Sequence, residues 1–112
     1  MTLAVLLCAT SVTPALASDE AEVRSAAQCA SGYGCVWTLT NYGGGFFQTT
    51  SGLPVSTGMT IAKSAGNRST YALRIYSGTG GTGTSVCLTP GQMIAAGAIP
   101  ARSMRVLATI VC

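Results

Sequence analysis

The sequence predicts an all-β domain made of two Greek-key units that pack together. Three observations lead to this prediction. Fourteen glycines separate short runs of β-branched and aromatic residues. The chain repeats itself at an offset of 39 residues, and four cysteines lie downstream of an expected signal peptide. A length of 112 residues leaves room for one domain of this kind.

The glycine-bounded runs have the composition and length of short β-strands. Many short strands joined by glycine-rich turns are typical of a sandwich or barrel. The predicted strands are Cys35–Thr40, Phe46–Thr50, Tyr71–Tyr76, Thr84–Leu88 and Met104–Val111. Strand alternation places Tyr71 on one face with Leu73 and Ile75. The last run is nearly all apolar, which predicts a central strand.

The internal repeat divides the domain into two similar units. When the chain is shifted by 39 residues without a gap, glycines and serines coincide, as in Gly44/Gly83 and Ser64/Ser103. Trp37 also falls opposite Tyr76. Matches of these types in one frame indicate a duplication. The units span about 35–67 and 74–108, and their sheets must pack together because neither covers its own apolar face.

The first residues have the pattern of a secretory signal peptide. An apolar run is closed by the triplet Ala15-Leu16-Ala17, which is typical of a cleavage site. The alternative is a structural N-terminal helix. We expect a signal peptide over 1–17, a flexible arm over 18–28 and the domain over 29–112. We therefore expect the protein to be secreted and extracellular.

The four cysteines of the expected mature chain predict a disulfide framework. They are Cys29, Cys35, Cys87 and Cys112. An even number of cysteines in a small exported chain is typical of disulfides. Three pairings are possible, and closeness in sequence favours Cys29–Cys35 and Cys87–Cys112. A zinc site is the alternative, but the cysteines do not form the two close pairs usual in such sites.

The distribution of charge argues against an enzyme. All three acids lie between Asp19 and Glu22, histidine is absent, and the span from Cys29 to Cys112 carries five cations and no acid. General acid–base catalysis usually needs a carboxylate or a histidine. The cations are dispersed, so we predict no nucleic-acid partner. We also expect no cofactor, no metal, no membrane span and a monomeric state.

In the hairpin sequence of the first unit, four residues separate Trp37 from Tyr42, and one residue separates Tyr42 from Gly44. This spacing resembles the βγ-crystallin Greek-key signature. In this motif the aromatic pair packs over a folded hairpin, and the glycine adopts a backbone angle that other residues avoid. The second unit keeps Tyr76 and Gly83 but has glycine at the second aromatic position. The resemblance implies that Ser64 and Ser103 each pin a hairpin with their hydroxyl groups.

Five short motifs together span most of the expected mature chain. They are Cys29-x5-Cys35-Val36-Trp37, Asn41-Tyr42-Gly43-Gly44, Asn67-Arg68-Ser69, Leu73-x-Ile75-Tyr76 and Ser85-Val86-Cys87-Leu88-Thr89-Pro90-Gly91. Through these motifs the chain is most similar, within that superfamily, to exported actinobacterial peptidase inhibitors of the metalloproteinase-inhibitor type. The resemblance implies a peptidase inhibitor whose partner is an extracellular protease. The alternative is a secreted antimicrobial or killer-toxin-like protein of the same fold, which the basic domain favours.

A candidate inhibitory segment follows from the same resemblance. It contains Val86, Cys87 and Leu88, and the bond between Cys87 and Leu88 would be the reactive one. Leu88 would then enter the apolar primed-side pocket of a thermolysin-like metalloprotease. The alternative is that Val86 and Leu88 are core residues of a sandwich strand, with Cys87 pointing outward.

The calcium sites of the crystallin family are not expected in this chain. Those sites use an Asn/Asp pair followed by Ser/Thr-Ser. The corresponding residues are Met59, Thr60, Lys63 and Ser64 in the first unit and Ala98, Ile99, Arg102 and Ser103 in the second. Because calcium prefers six to eight oxygen ligands, usually with carboxylates among them, we predict no calcium binding.

Overall fold

The computed structural model describes residues 26–112 and confirms an all-β fold, with 43% of the residues in strands. The expected signal peptide and residues 18–25 of the expected arm lie outside the described residues. Between residues 26 and 112 there is no helix with the length and apolar character needed to cross a membrane.

Ten short strands make up the described chain. They are β1 (Gly34–Leu39), β2 (Gly43–Thr49), β3 (Val55–Ser56), β4 (Ile61–Ala62), β5 (Ser64–Asn67), β6 (Leu73–Tyr76), β7 (Ser85–Leu88), β8 (Met93–Ile94), β9 (Ile99–Pro100) and β10 (Ser103–Val106). Five strands fall in each half, so β1 to β5 correspond in order to β6 to β10.

The strands form two four-stranded antiparallel sheets and a two-stranded ribbon. The orders are β2-β1-β5-β8, β3-β10-β6-β7 and β4-β9. The third strand of each half, β3 or β8, therefore lies in the sheet of the other half. This exchange interlocks the two halves and is compatible with a βγ-crystallin-like sandwich.

The main core lies between the two sheets. Val36 from the first sheet packs in one cluster with Leu73, Ile75 and Met104 from the second, and all four are fully buried. Burying a side chain of this size contributes about 1.5–3 kcal/mol. The sheets are therefore held together mainly by aliphatic side chains.

A second, smaller cluster surrounds Trp37, which is fully buried. Its ring meets the edge of Tyr42 at a centroid distance of 4.9 Å and lies 5.3 Å from the ring of Phe46. The indole Nε1–H donates a hydrogen bond of 3.1 Å to Gln28 Oε1. The aromatic pair that the motif predicts is thus in contact, and the one polar atom of Trp37 has a partner.

The hairpin glycines Gly44 and Gly83 have positive φ angles of 75° and 82°. A Cβ atom at either position would also collide with a hydroxyl group, that of Thr38 or Ser77. Each hydroxyl accepts a hydrogen bond from the N–H of the residue after the glycine. Both units therefore need glycine here for its backbone angle and for space.

Each hairpin is also bound by a buried serine. Ser64 Oγ accepts a hydrogen bond from Tyr42 N at 3.0 Å and donates one to Leu39 O at 2.7 Å. Ser103 makes the same two bonds, at 3.0 and 2.6 Å, to the residues 39 positions after Tyr42 and Leu39. The two halves therefore use identical polar contacts to fold their hairpins onto the sheets.

Glycine at position 81 has a simple conformational reason. Tyr42 adopts a φ of 59°, and Gly81, its counterpart, adopts a φ of 77°. Non-glycine residues rarely take such angles. In the first unit the ring of Tyr42 packs against Trp37, which offsets this cost, whereas the second unit has no tryptophan and uses glycine.

We expect Ser64→Ala and Ser103→Ala each to lower the free energy of unfolding by about 1–3 kcal/mol, because each leaves a backbone N–H and a carbonyl without their partner. Urea unfolding followed by circular dichroism measures the loss. Ser56→Ala in β3 is the control, because Ser56 is exposed, and it should change stability by less than about 0.5 kcal/mol. Equal effects of all three substitutions would contradict the hairpin role.

Three details differ from the sequence prediction. The five predicted strands correspond to β1, β2, β6, β7 and β10, whereas β3, β4, β5, β8 and β9 were not among them. The predicted strand Met104–Val111 is central in its sheet but ends at Val106. Leu107 N–H still donates to Ala72 O, but Ala72 N–H donates to Thr109 O, so the regular pairing with β6 is lost after Leu107. Tyr71 lies before β6 and is 47% exposed, so it does not share the buried face of Leu73.

Candidate functional site

The predicted inhibitory residues lie on β7, which is an edge strand. β7 pairs with β6 on one side only, with Leu88 opposite Leu73, Cys87 opposite Arg74 and Val86 opposite Ile75. Alternation therefore directs Val86 and Leu88 toward the core and Cys87 toward the outer face.

Leu88 is fully buried in the main core, and Val86 packs partly buried against the same cluster. The carbonyl of Leu88 also accepts a hydrogen bond of 2.9 Å from the buried Asn67 Nδ2. A side chain with no exposed surface cannot fill a protease pocket while the domain stays folded. Leu88 is therefore not accessible in the folded domain, which agrees with the alternative interpretation, a core strand with Cys87 facing outward.

Cys87 is half-buried and forms a disulfide with Cys112, while Cys29 forms one with Cys35. Both disulfides are the pairings predicted from closeness in sequence. The two disulfides differ in surroundings, because Cys29 and Cys35 are fully buried next to Trp37. The bond of Cys87 instead attaches the outer face of β7 to the chain that follows β10.

The segment 108–112 crosses from β10 to this disulfide and carries two exposed aliphatic side chains. Ile110 is 63% exposed and Val111 is 68% exposed. Thr109 O accepts a hydrogen bond of 2.8 Å from Ala72 N, and Thr109 Oγ1 donates one of 2.9 Å to Val111 O. This segment could not be recognised from the sequence, because its apolar residues look like a continuation of the preceding strand.

The outer face of the second sheet is cationic. Arg74 and Arg105 lie opposite each other in neighbouring strands, and Arg105 Nε donates to the hydroxyl of Tyr76 at 3.0 Å. Arg74 Nε is buried without a hydrogen-bond partner among the described residues. Like charges placed opposite each other are unfavourable, and residues 26–112 contain no acid to compensate them.

The positions of the two crystallin-type calcium sites hold no suitable ligand set. Ser64 and Ser103 use their hydroxyls in the hairpins, and Lys63 and Arg102 are exposed cations. A surface cavity of about 220 Å³ near the first position is lined in part by Met59 and Arg102. In the described part of the chain, no three His, Cys, Asp or Glu residues come together as a metal site would require.

The described residues form a disulfide-bonded β-sheet domain. The comparison with protein families gives the class of protein. The chain belongs to peptidase inhibitor family I36, whose model matches residues 22–88, more than half of its length. No curated protein matches the chain.

The family assignment confirms the resemblance to the metalloproteinase-inhibitor type and the prediction that the protein is not an enzyme. Its partner is a protease. The match ends at Leu88, so the exposed segment 108–112 lies outside it.

Proposed function

We propose that this protein is a secreted inhibitor of metalloproteases that holds a disulfide-braced segment in the cleft of its target. The observation that carries the proposal is the membership of family I36 together with the disulfide at Cys87. Cys87 remains in the proposed site through its bond to Cys112, whereas Leu88 does not.

Rigidity supports this function. An inhibitor binds tightly when little conformational freedom is lost on binding, so a segment fixed beforehand gains affinity. Here β7 is paired with β6, and its outward cysteine is covalently bonded to a second segment. Two disulfides in so small a domain also agree with an oxidising, extracellular environment.

A panel of proteases tests the proposal. We expect the purified protein to inhibit a thermolysin-like metalloprotease at stoichiometric concentrations and to leave a subtilisin-like serine protease active. The same protein after reduction and alkylation is the control, and it should lose inhibition because its segment is no longer braced. Inhibition of the serine protease alone would overturn the metalloprotease assignment.

One observation favours a second candidate function. The described domain carries five cations and no acid, and Arg74 lies beside Arg105 on one face. Such a surface attracts anionic cell envelopes, which suits a secreted antimicrobial or toxin-like protein. Growth inhibition of bacteria or fungi, together with no inhibition of any protease in the panel, would place this function first.

A further inference from the structure

We propose that Ile110 and Val111 are the side chains that enter the protease cleft, so that the inhibitory segment is 108–112 and not β7 itself. The proposal deepens the proposed function and rests on it. The partner that these residues fit is a protease whose pocket beside the scissile bond accepts β-branched aliphatic side chains.

The side chains of Ile110 and Val111 are accessible to a partner. Among the large apolar side chains near the Cys87 disulfide, Leu88 is fully buried, whereas Ile110 and Val111 expose 63% and 68% of their surface. Side chains exposed to this extent gain little hydrophobic free energy from the fold itself. A buried position inside a partner's pocket would recover their hydrophobic free energy.

The segment that carries Ile110 and Val111 is restrained on both sides. Thr109 is fixed through its carbonyl, which accepts a hydrogen bond from Ala72 N, and Cys112 is fixed through its disulfide to Cys87. Only Ile110 and Val111 lie between these two anchors. A span of two residues has few conformations to lose when it is bound, which is the condition for tight inhibition.

Cleavage of this segment by the protease would leave both new chain ends attached to the domain. Hydrolysis of a peptide bond between Thr109 and Cys112 consumes one water molecule and creates a new carboxylate and a new amine. The chain after the cut stays attached, because Cys112 is bonded to Cys87. The cut ends are therefore held near each other, so release is slow and religation competes with it.

The two other large aliphatic residues of the described chain that are more than half exposed do not combine these features. Leu53 is 74% exposed, but its loop is held only by hydrogen bonds, such as the one that Leu53 N donates to Ser51 Oγ. Leu39 is 53% exposed at the end of β1. Neither lies between a backbone anchor and a disulfide, so these two residues are suitable for matched controls.

The test compares four single substitutions in the full chain: Ile110→Asp, Val111→Asp, Leu53→Asp and Leu39→Asp. We expect at least one of the first two to raise the Ki for the target metalloprotease by about 30-fold or more, as for a hot-spot residue. The two controls should stay within about threefold, close to the size of an ordinary surface substitution. Circular dichroism verifies that each variant is folded.

The outcomes separate this inference from the proposed function. If the parent inhibits and both Ile110→Asp and Val111→Asp inhibit equally well, the segment assignment is overturned while the inhibitor function stands. A large loss with Leu53→Asp alone would move the site to the loop around Leu53 and would also overturn the assignment. If the parent inhibits no metalloprotease, the proposed function fails, and this inference fails with it.

Discussion

Replacing Trp37 with alanine is expected to lower the free energy of unfolding by about 3–5 kcal/mol, the usual cost of removing a buried aromatic side chain. Trp37 is fully buried and packs on both Tyr42 and Phe46. Its removal leaves a cavity beside the disulfide between Cys29 and Cys35. Because this cross-link holds the surrounding chain in place, the cavity cannot collapse freely. It also removes the partner of Gln28 Oε1.

The effect is large for a domain of this size, because a small protein typically has only about 5–15 kcal/mol of total stability. Urea unfolding followed by far-ultraviolet circular dichroism measures it, since the variant lacks the fluorescent indole. Leu39→Ala is the control, because Leu39 lies on the same strand with 53% exposure, and it should cost less than about 0.5 kcal/mol. Similar losses for both variants would contradict a specific role for the Trp37 cluster.

Removing the disulfide between Cys87 and Cys112 is expected to cost about 3.5 kcal/mol in the chain-entropy model, given its sequence separation of 25 residues. The variant Cys87→Ala/Cys112→Ala tests this in denaturant. Cys112 is exposed and Cys87 only half-buried, so little packing is lost with the sulfur atoms. The loss should therefore come almost entirely from the cross-link.

The single variant Cys112→Ala provides the matched control. It breaks the same cross-link while it keeps the side chain of Cys87 on β7. Since the cross-link is the source of the stability, the single and double variants should agree within about 0.5 kcal/mol when no adventitious disulfide forms. A double variant that is much less stable than the single one would show that the packing of the Cys87 side chain also contributes to stability, contrary to this expectation.

The duplicated pattern allowed much of the fold to be predicted. Gly44 and Gly83 could be found because a positive φ is a local requirement that glycine meets. Ser64 and Ser103 bind residues 22 and 25 positions away, and they could be found because they recur at the offset of 39 and match the crystallin-type motif. Trp37 was predicted as the first aromatic residue of that motif.

The burial of Leu88 could not be decided from the sequence, because alternation does not reveal which face of a strand is buried. Val86 and Leu88 share a face with Leu73 and Ile75, which becomes evident only from the register of β7 with β6. The end of the last strand was missed for a related reason. The apolar run after Val106 looks like a continued strand, but the bond from Cys112 to Cys87 and the contacts at Ala72 redirect it.

The exchange of β3 and β8 between the two sheets has a consequence for how the domain unfolds. Neither half can detach as a unit without breaking pairs with the other, because each contributes a short edge strand to the other's sheet. Opening the domain requires both sheets to separate at once, so partially open forms are costly and rarely populated. A low population of open forms is an advantage for a protein whose partner is a protease, since proteolysis of a folded chain proceeds mainly through such forms.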